Sequence, residues 1–507
     1  MRSEATLKNS IWGIAFQAVV CVLSMFSRRV MLDTIGIEGV GLNAFLTSVI
    51  SMLSLAELGI GTAIVYHMYA PLAKNDTEQI KRLMNFYKKV YRAIAGAIMV
   101  LGLALLPFMN KIVSDVSYSP GYVSLIFILF LLQSTTSYLF TYKRSLLSAD
   151  QKQYIITAFD LVYKIATVIL GIGILYLTKE LAYYLILLTV CTIAENIFIS
   201  KKADEIYPYI KNSKEKLEKK QQKQIAGDVK NIFIGKVSGI ITNSTDSILI
   251  NMLAGTVQTG LYSNYNIILS TLTATVNQLS AAMKGSIGNL VASESAQTID
   301  KVFKRLIFIM FFIGSFCAGC LTGLIDPFIE IVFGKELILN RMIVYVCIFN
   351  MYMTAVDIPV WSMVASSGLF KYDKYISIAG STINLIVSYF LGKQIGMAGI
   401  LIGTSCTYVI QFTLKIILFY KKFLKLSCAA IFAKSICFLA AAAAECAIVE
   451  FTASHIHILN AYVRFAALAA ISAAVPIILG AALFFKSEEF VYSVNLFKNS
   501  VKRFLVR

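Results

Sequence analysis

Six of the charged residues in otherwise apolar stretches of the sequence are candidates for binding chemistry. They are Arg28, Glu57, Lys164, Lys236, Asp246 and Asp357. An ionised side chain near the bilayer centre costs at least about 2.5 kcal/mol, so these groups should face water or one another. A guanidinium or ammonium group suits an anionic ligand such as phosphate, and a carboxylate suits a proton or cation. The set predicts binding chemistry inside a membrane.

Structural ion pairs are the alternative explanation for these charges. Arg28 could pair with Glu57, and Lys236 with Asp246. As sites, we predict Arg28, Lys164 and Lys236 to bind an anionic head group. We predict Glu57, Asp246 and Asp357 to face the cavity and couple an ion.

Small polar residues extend the pattern around the charges. At about 100° per residue, Gln17, Ser24 and Arg28 fall on one face of the first apolar helix. One face of the second predicted apolar helix carries Asn43, Thr47, Ser51, Ser54 and Glu57. We therefore predict that these polar residues, including Gln17 and Ser24, line an aqueous cavity. The alternative is that they form dry packing seams between helices.

The sequence offers little for catalysis. It has no Walker motif, no metal-spaced His and Glu cluster within an apolar stretch, and no nucleophile with a matching base. The CAGC run at 317–320 lies mid-helix, which favours packing over redox chemistry. We expect neither enzymatic activity nor a bound cofactor, only a coupling proton or sodium ion. The net charge of +18 is explained by the membrane rather than by nucleic acid.

The elements that position these residues are membrane helices. The chain is 58% hydrophobic with a mean hydropathy of +0.73, and only 15% of its residues are charged, against about 25% in soluble domains. A span needs about 20 apolar residues. Fourteen such runs occur, at 11–33, 41–66, 85–107, 122–142, 154–177, 182–200, 230–252, 261–284, 303–325, 341–363, 375–391, 398–420, 431–450 and 461–485.

Lysine and arginine placement sets the expected orientation. With the N-terminus inside, most basic residues fall in inside segments. The outside segments carry Lys111, Lys179, Lys335, Arg341, Lys393 and Arg464. We therefore predict a multi-pass protein with both termini in the cytoplasm.

A shift of 219 residues relates the two halves of the chain. It places Gly36 on Gly255, and Gly41 on Gly260. We predict an all-α fold of two six-helix bundles related by a pseudo-two-fold axis, at 1–200 and 230–425. A basic cytoplasmic linker, 201–229, should separate them in solvent near anionic lipid, and 426–507 should add two transmembrane helices and a basic tail.

The block at 32–92 resembles the Wzx-type polysaccharide flippases of the multidrug, oligosaccharidyl-lipid and polysaccharide (MOP) exporter superfamily. The specific part is SLAELGIGTAI at 54–64, followed by MNFYKKVYR. Glu57 matches the acid of the family's AELG motif. Arg28 stands eight residues before Gly36, where members of this type typically carry an arginine. The remaining buried charges have no such match.

The resemblance implies an activity. It implies transport of an undecaprenyl-diphosphate-linked oligosaccharide from the inner to the outer leaflet of the bacterial cytoplasmic membrane, by alternating access. Its implied partners are that glycan, membrane lipids, and a polymerase or glycosyltransferases of the same pathway. Two alternatives stay open, a multidrug or cation antiporter of the same superfamily and a membrane assembly protein without transport.

Overall fold

The computed structural model describes residues 2–57, 60–113, 115–150, 152–210, 215–456 and 458–505. Side chains are described except in residues 1–18, 230–243, 278–286, 499–505 and at a few single positions. Within these ranges the chain forms α-helices and short 3-10 or π turns, and no strand.

Fifteen α-helices follow one another along the described ranges. They are α1 (Arg2–Leu53), α2 (Ile60–Ala73), α3 (Thr77–Ile112), α4 (Pro120–Ala149), α5 (Gln153–Thr178), α6 (Leu181–Ile206), α7 (Lys219–Ala254), α8 (Thr256–Ser293), α9 (Ala296–Val332), α10 (Arg341–Ser366), α11 (Phe370–Ile395), α12 (Met397–Phe419), α13 (Ala429–Ser454), α14 (Ala461–Phe484) and α15 (Glu488–Leu505). Three 3-10 turns, Ser54–Glu57, Pro208–Ile210 and Lys335–Leu337, and one π turn, Tyr420–Leu424, complete them.

The predicted all-α, multi-pass fold is confirmed. Eleven helices in the described ranges are long and apolar enough to cross a membrane. The remaining three predicted spans, 41–66, 230–252 and 261–284, also coincide with helical segments. The first two predicted spans share α1, which changes direction at Gly36, where φ is 68°. Hydropathy succeeds here because lipid forces the backbone to satisfy its own hydrogen bonds.

The internal repeat has a physical counterpart at two glycine junctions. Gly36 and its repeat partner Gly255 both have positive φ, 68° and 97°, a region that favours glycine. A Cβ on Gly41 would lie 2.0 Å from the Thr256 carbonyl oxygen, and one on Gly260 would lie 2.7 Å from that of Ile37.

These two close approaches are reciprocal. Ile37 and Thr256 are themselves 219 positions apart, as are Gly41 and Gly260. Gly41 contacts Thr256, and its repeat partner Gly260 contacts Ile37, which is the repeat partner of Thr256. Two equivalent surfaces therefore meet, as in an isologous contact. We name this reciprocal contact the glycine crossing.

Two compact units make up the chain, residues 22–263 and residues 1–21 with 264–507. In the first unit, one apolar cluster includes Phe45 and Phe127, and another includes Tyr87 and Leu146. In the second unit the core is rich in aromatic side chains, and the rings of Phe311 and Phe438 stack at 4.5 Å.

The segment between α6 and α7 is anchored to the first unit. Tyr207, Ile210 and Leu217 are buried in its core. The Asn85 amide donates to the Glu215 carbonyl at 2.6 Å. Residues 201–206 continue α6, and α7 already begins at Lys219. The segment thus differs from the wholly solvated linker expected from its charge, because its few apolar residues pack onto α3.

The helices α13 and α14 pack on α9 in the second unit. A Cβ on Gly319 would lie 2.6 Å from Pro476, and one on Gly323 would lie 2.1 Å from the Ser472 hydroxyl. Cys320, at 3.6 Å from the Ser472 carbonyl, lies in the same seam. The CAGC run therefore serves close helix packing, as its position in the sequence predicts.

Candidate functional site

A cavity of about 560 Å³ opens within the first unit. The second half of α1, the 3-10 turn after it, α4 and α6 form its wall. The lining residues are Asn43, Thr47, Ile50, Ser51, Glu57, Phe130, Gln133, Ser134, Ser137, Tyr138, Thr141, Tyr184, Leu188 and Thr192. Most of these side chains carry a neutral hydroxyl or amide group, so the wall is polar but almost uncharged.

The second half of α1 separates apolar and polar residues between two faces. Phe45, Leu46 and Val49 are buried, whereas Thr47 and Ser51 are exposed on the cavity side. The Thr47 hydroxyl donates to the Asn43 carbonyl at 2.7 Å, and the Ser51 hydroxyl donates to that of Thr47 at 2.9 Å. These hydroxyl hydrogens are used within the helix. The oxygen lone pairs remain available as acceptors for a ligand.

Glu57 supplies the carboxylate of the cavity wall. It lies in the 3-10 turn that interrupts the helix after α1. The Tyr91 hydroxyl, from a side chain that is almost fully buried, donates to Glu57 Oε1 at 3.2 Å. Among the described residues, no lysine or arginine lies on this wall. Glu57 can therefore hold a proton or a cation.

Arg28 lies behind the cavity wall rather than on it. The side chain is half-buried on α1, and its Nη1 is buried without a hydrogen-bond partner in the described part of the chain. Tyr184, a residue of the cavity wall, lies within electrostatic range of Arg28, and its hydroxyl contacts Ser27. The neighbouring Arg29 is exposed and pairs with Asp33 at 3.1 Å.

The structure brings some of the predicted site residues together and separates others. Asn43, Thr47, Ser51 and Glu57 share the cavity wall. Ser54 lies in the adjacent turn, with its hydroxyl on the Ile50 carbonyl at 2.9 Å. Ser24 is half-buried on α1, Lys164 is exposed on α5, and Asp246 is buried on α7. The side chains of Gln17 and Lys236 lie outside the described residues.

Asp357 belongs to the second unit. Its carboxylate accepts from the Lys415 ammonium at 2.9 Å, and Lys415 is almost fully buried. An intramembrane ion pair accounts for this charge without a ligand. The pairing joins α10 to α12.

Sequence reasoning missed two faces of the cavity. The α4 face carries Gln133, Ser137 and Thr141 at four-residue spacing, and the α6 face carries Tyr184 and Thr192 at twice that spacing. The same i, i+4 search that identified α1 would have found the α4 stripe. Tyrosine and leucine hide the α6 stripe, because neither is polar enough to stand out in an apolar helix.

A cluster of three charged groups lies one helical turn beyond the cavity. Arg144 follows Thr141 by three residues, and Glu195 follows Thr192 by three. Arg144 donates to Asp160 at 3.0 Å and also to Glu195. Asp160 and Glu195 are therefore ion-paired, and the pairs join α4, α5 and α6.

The fold defines a class, the multi-pass helical membrane proteins. Residues 6–283 match the model of a family described as polysaccharide biosynthesis protein, and the chain belongs to this family. The resemblance to Wzx-type exporters is thereby confirmed. A search of curated proteins found no match.

Solved structures share the fold. The lipid II flippase MurJ in an inward closed conformation has a TM-score of 0.66 at 14% identity, covering 93% of this chain and 98% of that one. An inward-facing multidrug resistance MATE transporter has a TM-score of 0.60 at 12% identity, covering 82% and 100%. The Vibrio cholerae MATE transporter VcmN has a TM-score of 0.60 at 13% identity, covering 82% and 96%.

Proposed function

We propose that the protein flips an undecaprenyl-diphosphate-linked oligosaccharide from the inner to the outer leaflet of a bacterial cytoplasmic membrane. The observation that carries this proposal is the cavity in the first unit, whose wall carries mainly neutral hydroxyl and amide groups and, among the described residues, a single carboxylate. Such a wall suits a carbohydrate, and membership of a polysaccharide biosynthesis family supports that cargo. The activity is transport rather than catalysis.

Arg28 is the anion-binding residue of the proposal. Its buried Nη1 has no protein partner in the described part of the chain, and a guanidinium left in that state gains from an incoming phosphate oxygen. Lys164, exposed on α5, and Lys236 would add positive charge along the route of the head group. The prenyl tail stays in the lipid throughout.

Glu57 is the ion-coupling residue of the proposal. A proton or sodium ion on its carboxylate would neutralise the one charged side chain that the described residues place on the wall, and Tyr91 would orient the carboxylate in either state. Alternating access of the two predicted bundles then exposes the head group on the outside. Differential binding of cargo and ion to the two states drives this exchange. Asp246 contributes if it meets the cavity in the other state.

A multidrug or cation antiporter is the second candidate function. The observation that favours it is again Glu57, because a carboxylate on an otherwise neutral wall attracts a cation. A third candidate, an assembly protein without transport, predicts that cavity substitutions change stability alone.

Glycan export by variants at matched membrane expression tests the proposal. Arg28→Ala should lower export by about tenfold or more. Arg28→Lys should restore part of the export, because an ammonium keeps the positive charge but cannot bind a phosphate bidentately as a guanidinium does. Arg29→Ala is the matched control, since its side chain is exposed and paired to Asp33. Full export by Arg28→Ala would remove the anion role.

Reconstituted vesicles separate the candidate functions. Wild-type protein should flip a lipid-linked sugar and should not drive efflux of a cationic dye. Glu57→Gln should lose any dependence of flipping on the ion gradient, because glutamine keeps the Tyr91 hydrogen bond but binds no proton or cation. Dye efflux without flipping would establish the antiporter instead.

A further inference from the structure

Tyr184 connects three parts of the first unit. Its ring forms part of the cavity wall. Its hydroxyl contacts Ser27 and lies within electrostatic range of Arg28. Its ring edge packs on α5 at Gly171, where a Cβ would lie 2.8 Å from Tyr184 Cε2. The ring edge is therefore seated where α5 offers no side chain, in a residue that both lines the cavity and lies near the arginine.

The chemistry of the cavity wall suits the sugar of a glycolipid head group but not its diphosphate. A diphosphate is unsuited to the cavity, because the charged side chain on its wall is the Glu57 carboxylate. A sugar is well suited, because Asn43 and Gln133 offer amide donors and acceptors, and Thr47 and Ser51 offer acceptor oxygens. At about 560 Å³ the cavity is in the range of small-ligand sites, which fits a mono- or disaccharide rather than a lipid.

We propose that this cavity is a carbohydrate subsite, with the Tyr184 ring as the platform for the sugar nearest the diphosphate. The apolar C–H face of the sugar packs on the ring, as apolar groups pack on aromatic side chains elsewhere. The diphosphate leaves the cavity on the side of Arg28. The inference rests on the proposed function and adds that sugar and phosphate are recognised by different residues.

Gly171 is the positioning residue of this platform. A methyl group there would displace the Tyr184 ring without touching the cavity wall directly. The same helix supplies a matched control at Gly173, where a Cβ would meet nothing within 4 Å. Tyr183 supplies the second control, because it neighbours Tyr184 in sequence but is exposed on another face of α6.

The test compares two ligands on the purified full-length protein in detergent. One is N-acetylglucosaminyl-diphospho-undecaprenol, and the other is undecaprenyl diphosphate without sugar. Wild-type protein should bind the sugar-bearing lipid about tenfold more tightly. Tyr184→Ala and Gly171→Ala should each remove most of that preference and leave affinity for the bare diphosphate lipid within twofold. Tyr184→Phe, Tyr183→Ala and Gly173→Ala should keep the preference.

The remaining outcomes separate this inference from the proposed function. Equal binding of both lipids by wild-type protein overturns the subsite and leaves the proposed function standing. Binding of neither lipid overturns both. A preference that survives in Gly171→Ala and Tyr184→Ala, or an equal loss of both ligands in these variants, overturns the platform. Thermal unfolding of each variant in the same detergent shows that the binding losses occur in folded protein.

Discussion

The two compact units use their polar side chains in opposite ways. In the first unit, Thr47, Ser51 and Gln133 face an open cavity. In the second unit, the polar side chains of α11 and α12 face one another. Asn384 donates to Thr404 at 2.9 Å with both groups buried. At these positions the first unit keeps hydrogen-bonding capacity for a ligand, whereas the second uses it to join helices.

The repeat makes this difference concrete at a single position. The partner of Glu57, 219 residues on, is Val276, which is only 5% exposed. The backbone junctions at Gly36 and Gly255 are alike, yet the carboxylate occurs in one half alone. The two halves share the backbone path of the glycine crossing and have diverged in chemistry. We infer that the first unit, the binding unit, holds the polar groups that face a ligand, and that the described polar contacts of the second, the bracing unit, join helices. The Arg144 pairs show that contacts of the second kind occur in the binding unit as well.

The largest expected effect on stability lies in the bracing unit, at Arg341. Arg341 donates to Asp326 at 2.8 Å and also to Glu450, which joins α10 to α9 and α13. Arg341→Ala should cost about 3 kcal/mol, the lower end of the range for breaking a buried pair, because all three side chains are partly exposed. The free energy of unfolding in detergent measures this cost.

The control for Arg341 is Arg29→Ala, which removes an exposed i, i+4 pair in the binding unit and should cost less than about 0.5 kcal/mol. Equal costs for the two substitutions would contradict the division into bracing and binding units.

The next effect lies at the glycine crossing, the feature that both halves share. Gly41→Ala and Gly260→Ala each place a Cβ within 2.7 Å of a backbone oxygen. Each should cost about 1–3 kcal/mol by overpacking. Gly96→Ala, with open space around its Cβ, should cost nothing and gain helix propensity. A shift in the midpoint of thermal unfolding reports the difference, and a neutral Gly41→Ala would refute the close approach.

A smaller effect compares single polar residues of the two units. Asn384→Ala removes the buried hydrogen bond to Thr404 and should cost about 0.5–1.5 kcal/mol. Thr47→Val, on the cavity wall, should change stability by less than about 0.5 kcal/mol but weaken binding of the sugar-bearing lipid. Parallel unfolding and binding measurements decide. The comparison fails if Thr47→Val destabilises as much as Asn384→Ala.

The smallest effect concerns the anchored segment at the edge of the binding unit. Burial disfavours ionisation of Asp150, but hydrogen bonds from Lys152 and Tyr207 outweigh it and lower the pKa of Asp150. Its contribution to stability is therefore complete above the unfolded-state pKa of about 3.9 and is lost as the pH falls through the lower folded-state value. Asp150→Asn should lower the unfolding temperature slightly at pH 7.

The pH dependence provides the check on this assignment. The difference in unfolding temperature between wild type and Asp150→Asn should shrink as the pH falls below about 4. A difference that is constant with pH would show that the carboxylate's charge plays no part in anchoring the segment.

The sequence was sufficient for the helices because lipid imposes a length and a composition on each span. It was sufficient for one wall of the cavity because Asn43, Thr47 and Ser51 recur at helical spacing among apolar residues. The α6 wall could not be predicted, since Tyr184 and Leu188 look the same whether they face a cavity or a neighbouring helix. The position of Arg28 behind Tyr184 depends on the rotation of α1 against α6, which no local pattern encodes.

The ion pairs could not be predicted from local sequence pattern either. Asp357 and Lys415 are separated by 58 residues, and each reads alone as an isolated intramembrane charge. Local pattern did not encode the position of Lys164 relative to the cavity either. Lys164 is exposed on α5, and no described residue of α5 is part of the cavity wall.

The glycine crossing constrains how the chain can change over generations. The atoms nearest to Gly41 and Gly260 are carbonyl oxygens of Thr256 and Ile37, which every amino acid possesses. No codon change on the opposite side can remove them. Suppressors of a defect at either glycine must therefore arise at a distance, through substitutions that move a whole helix, rather than by trimming the residue across the contact.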